Sequence, residues 1–337
     1  MAGPIDVFGQ WLDRLVLRGQ TRSTGRSAEV DALSHAERLE RLHLFRQTYD
    51  DPALLAYPGG LLVRGAPISP SVVRVGAGVQ DLAWPSPYEP WNPEVRGIYL
   101  SGAANLQGHA RVFDGGPRTV VVVHGYGTGA FDFEQRLWPI RSWRRRGLKV
   151  VLVTLPFHGR RALPGRAYAP PFPGADPRLN VEGFRHAVAD ITSLLSWLRA
   201  EGSGPIGMVG MSLGGYTTAL LATLEADLAF AGMLIPLASI ADYALIHGRL
   251  GSGPTSAALH EALEGALRPV SPMARPSLVA PERVHILAAR GDAITGLAQA
   301  KRLAAHFGTD VDVRSGSHIL QLGLRRALDR WMNGIGS

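Results

Sequence analysis

Short apolar runs alternate with longer amphipathic segments over most of the chain after residue 95. Runs rich in valine, leucine and isoleucine suit strands buried on both faces, and they occupy residues 119–123, 148–154, 206–209, 228–236, 284–289 and 310–313. Apolar residues spaced three and four apart predict helices at 131–143, 181–200, 297–307 and 319–332. Strands that alternate with helices in this way predict βαβ units and a mostly parallel central sheet flanked by helices.

The first 94 residues differ in texture and are predicted to form a helical and irregular extension, packed on a core domain at residues 95–337. Two amphipathic helices are expected in it. The first has an apolar stripe at Ile5, Phe8, Trp11, Leu12 and Leu15, and the second, capped by Ser34, has one at Leu39, Leu42, Phe45 and Tyr49. We expect both stripes to pack on the body of the protein. A contact with a second copy of the chain or with a membrane surface is the alternative.

Prolines are frequent between residues 52 and 94, so this segment is expected to be irregular and to lie on the surface. An isolated strand is predicted within it at residues 71–75. Two antiparallel edge strands, at residues 95–101 and 107–113, are then expected to open the core domain.

Composition narrows the class of protein. Of the 337 residues, 46% are apolar and 19% are charged, which is typical of a globular chain with a sizeable core. The net charge of +7 comes from dispersed arginines without a nucleic-acid-binding motif, so nucleic acid is not an expected partner. There is no cysteine and no histidine cluster at ligand spacing, so neither a metal nor another cofactor is expected.

The sequence also bears on location. No run of about 18 to 20 apolar residues is present to span a bilayer. Residues 1–26 lack the apolar centre of a signal peptide, because charged residues interrupt them. A cytoplasmic protein is therefore the default expectation, and the sequence leaves homo-oligomerisation open.

The most informative stretch is Gly-Met-Ser-Leu-Gly at residues 210–214. A short apolar strand precedes it and an apolar helical segment follows it. A serine between two glycines at a tight strand-to-helix turn is the pattern of a nucleophile elbow. We therefore expect Ser212 to adopt a strained backbone conformation, with Gly210 and Gly214 small enough for strand and helix to pass closely.

Chemistry-bearing residues also follow the other predicted strands. His124, His158, Asp292 and His318 each come directly after such a strand, as Ser212 does. Ligands of parallel sheets lie at the carboxyl ends of the strands, so one edge of the sheet is expected to gather these side chains. A serine hydroxyl is a weak nucleophile until a base takes its proton. His318, oriented by Asp292, is the preferred base.

In these motifs the chain resembles the serine α/β-hydrolase superfamily, in its esterases and lipases. The resemblance rests on His124-Gly125-Tyr126-Gly127, on the elbow, on Asp292 after a strand and on His318 before the last helix, in the order Ser, Asp, His. It implies an α/β-hydrolase fold with a small lid and a Ser212–Asp292–His318 triad. It also implies an oxyanion hole built from the backbone N–H groups of Tyr126 and Leu213, with His124, Gly125 and Gly127 as supporting residues.

Two assignments within this scheme have rivals. Asp242, after the preceding strand, could be the acid in place of Asp292. Asp292 is preferred, because an aspartate directly at a strand end, as in its case, is the commoner pattern of the family. His158 precedes Ser212, which is the wrong order for the base, and we interpret it as a pocket or loop-anchoring residue. Arg160 and Arg161 could hold an acidic group of a substrate, but an exposed basic turn is the simpler interpretation.

The predicted reaction is hydrolysis of a carboxylic ester of a small molecule with an apolar acyl or alcohol group. An acyltransferase or a thioesterase with the same triad is the alternative, followed by a binding protein without catalysis. Residues 162–180 and 238–281 are candidate lids. The candidate pocket residues are Met211, His158, Tyr168, Phe172 and Tyr243.

Overall fold

The structure is a computed structural model, and it describes residues 3–23, 33–166, 170–333 and 335. Within these residues nine strands form one sheet in the order β1-β2-β3-β5-β4-β6-β7-β8-β9. The strands are β1 (Ser71–Gly76), β2 (Val79–Pro85), β3 (Gln107–Phe113), β4 (Thr119–Val123), β5 (Lys149–Val153), β6 (Ile206–Met211), β7 (Leu228–Leu234), β8 (Val284–Ala289) and β9 (Val311–Arg314). The strands β1 to β3 pair antiparallel with one another and β3 with β5, whereas all the other pairs are parallel.

Helices cover both faces of the sheet. They are α1 (Pro4–Ser23), α2 (His35–Thr48), α3 (Pro93–Leu100), α4 (Phe131–Leu137), α5 (Ile140–Arg145), α6 (Pro177–Ala200), α7 (Leu213–Ala222), α8 (Ile240–Ile246), α9 (Pro254–Leu267), α10 (Leu297–Phe307) and α11 (Leu324–Asn333). All five residues of β4 are buried, as expected for a central strand with helices on both sides. The predicted mostly parallel α/β sheet is thereby confirmed. None of the described helices has the length and apolar character needed to cross a membrane.

The extension contributes more to the sheet than its sequence predicts. Residues 71–75 are not an isolated strand, because β1 pairs with β2 and β2 pairs with β3 over its whole length. Residues 95–101 are not an edge strand either, because they fall in and just after helix α3. Asn92 caps this helix through a hydrogen bond from the N–H of Glu94 (2.9 Å), and Pro93 occupies its first turn.

Helix α2 packs as its sequence pattern predicts. Ser34 and Glu37 form a reciprocal capping box at its start. Phe45 is buried, and Leu39 and Leu42 pack beside Leu259 of α9 in a small apolar cluster. The apolar stripe of this helix therefore attaches the extension to the candidate lid segment at residues 238–281.

Helix α1 buries a polar face and not the apolar stripe, so the prediction for this helix is wrong. Its buried residues are Asp6, Gly9 and Asp13, whereas Phe8 and Trp11 of the apolar stripe are 55% and 54% exposed. The two aspartates turn inward because they accept hydrogen bonds from backbone N–H groups of loops at the edge of the sheet. A buried N–H group that lost its acceptor would cost about 1 to 3 kcal/mol, so donors in these loops favour the acidic face.

Two helix boundaries also differ from the sequence pattern. The helix predicted between residues 131 and 143 is divided into α4 and α5 at Trp138 and Pro139, because proline cannot continue the hydrogen-bond ladder. The last helix begins at Leu324, since Gly316 and Gln321 form an isolated bridge and Gly323 has a positive φ of 74°. The residues after His318 thus form a turn closed by local backbone hydrogen bonds before the helix begins.

Candidate active site

Ser212 occupies a strained position between β6 and α7. Its φ of 55° and ψ of −112° are unusual for a residue with a side chain. Its backbone N–H donates to the carbonyl of Leu234 (2.9 Å), and its carbonyl accepts from Tyr216 (3.0 Å). The side chain is partly exposed, and its hydroxyl makes no hydrogen bond to another described residue. The backbone of Ser212 is therefore held by hydrogen bonds, and its hydroxyl is left accessible.

The glycines on either side of Ser212 are required by close approach of the backbone. A Cβ at Gly210 would lie 1.9 Å from the carbonyl oxygen of Gly214. A Cβ at Gly214 would lie 2.1 Å from the carbonyl oxygen of Val123 on β4. Both distances are far below van der Waals contact, so a side chain at either position would push α7 away from the sheet.

Asp292 and His318 meet at the carboxyl ends of β8 and β9. The imidazole Nδ1–H of His318 donates to Oδ2 of Asp292 at 2.9 Å, and both side chains are buried, at 9% and 2% exposure. Thr295 donates its hydroxyl to the same carboxylate oxygen at 2.7 Å. Oδ1 of Asp292 accepts the backbone N–H groups of Ile294 and Thr295 at 2.8 and 2.9 Å.

These contacts set the charge of Asp292. Burial by itself raises the pKa of a carboxyl group, because it disfavours the ionised form. The charge and hydrogen bond of His318, together with the donors in Thr295 and Ile294, outweigh burial and lower the pKa of Asp292 to about 2. Asp292 is therefore ionised at neutral pH and presents a fixed negative charge to the imidazole.

Asp242 has different partners. Its carboxylate accepts from His260 at 2.7 Å and pairs with Arg302 at 2.6 Å. Arg302 also pairs with Glu264 at 2.5 Å. Asp242, His260 and Glu264 offer three potential metal-ligand atoms within 4.8 Å of one another, which the spacing of the histidines in the sequence does not suggest. The single guanidinium of Arg302 pairs with the carboxylates of both Asp242 and Glu264.

The loop after β4 runs beside Ser212. A Cβ at Gly125 would lie 3.7 Å from Cβ of Ser212, so the backbone of this loop borders the serine. His124 Nδ1–H donates to the carbonyl of Gly125 (2.7 Å), and its Nε2 accepts the N–H of Leu155 (3.0 Å). Burial lowers the pKa of His124, so it is a neutral tie between the loops after β4 and β5. These two hydrogen bonds hold the backbone of the loop that carries Tyr126.

His158 is fully buried next to the same loop. Its Nδ1 bonds the carbonyl of Pro156 at 2.8 Å, while its Nε2 has no hydrogen-bond partner among the described residues. Its ring contacts those of His124, Tyr126 and Phe172. Burial lowers the pKa of His158 well below its usual value, and the nearby His124 acts in the same direction. These contacts make His158 an anchor of the loop after β5.

The remaining candidate pocket residues are Tyr168, Met211, Phe172 and Tyr243. Tyr168 lies outside the described residues, and Met211 is partly buried at the end of β6. Phe172 is a core residue and not a pocket wall, because it is fully buried with its ring 4.8 Å from that of Phe184. Tyr243 is partly buried, and its ring lies 4.5 Å from that of His247 at the end of α8.

Tyr126 itself is anchored at both ends of its side chain. Its hydroxyl donates to the carbonyl of Pro170 at 3.0 Å, and its ring meets that of His158 edge-on. Burial raises the pKa of Tyr126 to about 12, so the phenol stays neutral. The candidate lid segment at residues 162–180 thus meets the loop after β4 at this residue, through Pro170.

Some features of this edge were missed in the sequence. Phe157 and Ile235 have positive φ values of 63° and 41° and follow β5 and β7, on either side of Ser212 in the chain. Backbone strain in non-glycine residues clusters at functional sites. Thr295, whose hydroxyl contacts Asp292, lies three residues after that aspartate. A hydroxyl residue in the turn after an aspartate is a signal that could have been used.

Comparison with known proteins gives one family model and two sequence relatives. The model, described as alpha/beta hydrolase domain containing 18, matches residues 110–245. Uncharacterized proteins of Mycobacterium tuberculosis strains CDC 1551 / Oshkosh and ATCC 25618 / H37Rv are each 38% identical to the chain over 164 residues, or 46% of it. The match spans 38% of the length of each of these relatives.

Solved structures give the same fold. Acetyl xylan esterase 1 from Thermoanaerobacterium sp. JW/SL YS485 is similar with a TM-score of 0.54 and 14% identity, covering 90% of this chain and 94% of that one. Acetyl xylan esterase from Paenibacillus sp. R4 follows with a TM-score of 0.53 and 14% identity, covering 86% and 94%. The family model and these structures support an assignment to the α/β-hydrolase superfamily, and the nine-stranded sheet with helices on both faces has that fold.

Proposed function

We propose that the protein is a serine hydrolase that cleaves a carboxylic ester through an acyl-Ser212 intermediate. In this proposal Ser212 is the nucleophile, His318 the general base and acid, and Asp292 the residue that orients His318. The supporting observation is the 2.9 Å hydrogen bond between His318 and the ionised Asp292, at the sheet edge where the strained Ser212 also lies.

In the first half of the reaction, Nε2 of His318 takes the proton of the Ser212 hydroxyl as its oxygen attacks the ester carbonyl carbon. A C–O bond forms to the serine and the carbonyl oxygen becomes an oxyanion. When the intermediate collapses, the bond to the alcohol oxygen breaks and the imidazolium returns the proton to that oxygen. The negative charge of Asp292 stabilises the imidazolium, because its carboxylate contacts Nδ1–H directly.

In the second half, water takes the place of the alcohol. His318 accepts a proton from the water as the water oxygen attacks the acyl carbon. The bond between that carbon and the Ser212 oxygen then breaks, the carboxylic acid leaves, and the serine oxygen regains a proton from the imidazolium. No redox cofactor is needed at either step, because the acyl group is transferred without a change in oxidation state.

Two backbone N–H groups would donate hydrogen bonds to the oxyanion. Leu213 follows the nucleophile at the N-terminus of α7, where the helix dipole favours negative charge. Tyr126 belongs to the loop whose Gly125 borders Ser212, and that loop is fixed by the hydrogen bonds of His124. This rigidity supports the assignment, because a preorganised donor need not reorient during the reaction.

A fluorophosphonate probe tests the nucleophile. The oxygen of Ser212 should displace fluoride from phosphorus, and peptide mass spectrometry should locate the adduct at Ser212. A Ser212→Ala variant should take up no probe and hydrolyse no chromogenic ester, while a Ser239→Ala variant, which alters a buried serine that caps α8, serves as the matched control and should still be labelled. A wild-type protein that stays unlabelled and inactive on short and long acyl esters would contradict the proposal.

A second experiment tests which type of acyl bond the protein cleaves. Matched oxygen ester, thioester and anilide substrates with the same acyl group should give the largest kcat/KM for the oxygen ester. Faster turnover of the thioester, or acyl transfer to an added alcohol in preference to water, would replace the esterase with a thioesterase or an acyltransferase that uses the same residues.

A further inference from the structure

Helix α1 presents a buried acidic face to the two loops that carry Asp292 and His318. The face consists of Asp6, Gly9 and Asp13, spaced three and four residues apart on one side of the helix, and all three are buried. The loops are residues 290–295 and 316–319. A carboxylate is rarely buried without partners, so each aspartate must be accounted for by the groups it contacts.

Asp13 accepts four hydrogen bonds from these two loops. Its Oδ2 accepts the backbone N–H groups of His318 at 2.9 Å and Ala293 at 3.0 Å. Its Oδ1 accepts the hydroxyl of Ser317 at 2.9 Å and the N–H of Ile319 at 3.1 Å. One oxygen atom thus joins the backbone of the proposed base to the residue directly after the proposed acid.

Asp6 makes a related contact farther from the proposed acid and base. Its Oδ1 accepts the N–H of Gly316 at 2.7 Å, two residues before His318, and its Oδ2 accepts the N–H of Gly3 at 2.8 Å. Asp6 has the same residue type, helix face and burial as Asp13. Among the described residues, its carboxylate accepts no backbone N–H of the Asp292 loop and meets that loop only through a 4.0 Å ion pair with the exposed Arg290. Asp6 therefore provides a matched comparison for the shared backbone hydrogen bonds of Asp13.

The helix lies against these loops with no space between them. A Cβ at Gly9 would lie 2.6 Å from Cβ of Ser317, and a Cβ at Gly291 would lie 2.5 Å from the backbone carbonyl of Asp6. Glycine at both positions lets the helix approach closely enough for the carboxylates to reach backbone N–H groups. The hydrogen bonds from these loops to Asp6 and Asp13 join residues that are 280 to 310 positions apart in the chain.

We propose that Asp13 of helix α1 is a positioning residue of the active site, holding the His318 loop and the Asp292 loop in register through one shared carboxylate. This inference rests on the proposed function for its effect on catalysis. Asp13 acts through the backbone of His318 and Ala293 and takes no part in proton transfer. Helix α1 is on this view a component of the active site, although it lies outside the region that the family model matches.

The test compares the full-length variants Asp13→Asn and Asp6→Asn, with Arg14→Ala on the exposed side of α1 as a control. An asparagine keeps the shape of the side chain but offers one oxygen acceptor in place of two, so donors in the two loops lose a partner. We expect Asp13→Asn to lower kcat for an ester by about 10- to 100-fold with KM nearly unchanged, because small displacements of catalytic groups are costly. Asp6→Asn should lower kcat less than about 5-fold, and Arg14→Ala should match wild type.

A spectroscopic signal separates this proposal from the proposed function. An imidazole N–H that donates to a carboxylate resonates at low field in proton NMR, and the signal from His318 is identified by its loss in His318→Gln. Asp13→Asn should broaden or remove that signal, whereas Asp6→Asn should retain it. The signal reports the geometry of His318 and Asp292 whether or not the protein hydrolyses esters.

The outcomes are distinct. Wild-type kcat and an unchanged low-field signal in Asp13→Asn would overturn the positioning role, as would equal losses of kcat in Asp13→Asn and Asp6→Asn at equal loss of thermal stability. If Asp13→Asn does not fold, Ser317→Ala removes one of the four bonds, and we expect a roughly 3- to 10-fold lower kcat with the signal shifted. An unchanged Ser317→Ala would then reject the proposal. An inactive wild type with a signal that depends on Asp13 would reject only the proposed function.

Discussion

The carboxylate of Asp292 accepts two side-chain hydrogen bonds on a single oxygen, one from Nδ1 of His318 at 2.9 Å and one from the hydroxyl of Thr295 at 2.7 Å. The first contact links Asp292 to His318, and the second restricts rotation of the carboxylate. Asp242, the rival acid, has its own carboxylate engaged by His260 and Arg302. Replacement of Asp292 and replacement of Asp242 should therefore have different effects on turnover.

Asp292→Asn should lower kcat for ester hydrolysis by roughly 10⁴-fold, since an amide neither stabilises the imidazolium nor fixes the tautomer of His318. Asp242→Asn, a change of the same size, should leave kcat within about threefold of wild type, because its partners lie in a separate cluster. Steady-state assays of both variants decide the assignment. A large loss in Asp242→Asn with a small one in Asp292→Asn would reverse the roles.

Thr295→Val should lower kcat by about 10-fold, because valine has the same shape but cannot donate to the carboxylate of Asp292. Thr295 is only 3% exposed, so no solvent molecule can readily replace the lost donor. Thr295→Ser keeps the hydroxyl and should retain most of the activity. The comparison is made by kcat at saturating ester, and equal rates for the valine and serine variants would show that the hydroxyl is unimportant.

The buried pair of Arg161 and Asp190 should contribute strongly to stability. Their side chains are 1% and 2% exposed and lie 2.6 Å apart. Asp190→Asn leaves the guanidinium buried without its counter-charge, which should lower the free energy of unfolding by about 3 to 5 kcal/mol. Asp312→Asn breaks partly exposed pairs with Arg314 and Arg330 and should cost less than about 1 kcal/mol. Urea titration of both variants measures the difference, and equal losses would be inconsistent with it.

Buried histidines should make the protein sensitive to acid below neutral pH. Burial lowers the pKa of His186 to about 4, and that of His158 well below its usual 6.5. Each lowered pKa means that the unfolded chain binds a proton first as the pH falls. The associated stability is complete above about pH 6.5 and is lost toward pH 4, at up to about 1.4 kcal/mol per pH unit for each histidine.

This pH dependence can be measured through urea unfolding at pH 7.0, 6.0 and 5.0. His186→Gln should reduce the slope of the unfolding free energy against pH by up to about 1.4 kcal/mol per unit, since one titrating group is removed. The comparison concerns the slope and not the absolute stability, which the substitution also changes. A variant with the same slope as the wild type would show that His186 does not cause the acid sensitivity.

Arginine residues show where interpretation of the sequence was wrong. Arg161 lies in a basic turn that suggests solvent exposure, yet it is buried and bonds Asp190, His186 and the carbonyl of Asn105. Arg160, its neighbour, is 43% exposed and pairs with Asp81. Adjacent residues of the same type have opposite environments because only one of them points toward α6.

The apolar stripe of α1 gives a second example. Periodicity correctly predicts the helix, since hydrogen bonds within a helix depend on local sequence. It assigns the wrong face to the interior, because the neighbouring loops offer backbone N–H donors and not an apolar surface. Which face packs inward depends on those loops, and they come from the other end of the chain.

The sequence by itself determined the alternation of strands and helices, the elbow at Ser212, and the order of Ser212, Asp292 and His318. Each of these depends on local hydrophobic period, on turn chemistry or on chain order. The sequence left Asp242 open as a rival of Asp292, and the tertiary structure decided which of the two carboxylates bonds His318. It alone decided that Asp13 accepts hydrogen bonds from the Asp292 and His318 loops. Hydrogen bonds between residues more than 25 positions apart require knowledge of the folded backbone, because no local pattern encodes which buried donor will meet which acceptor.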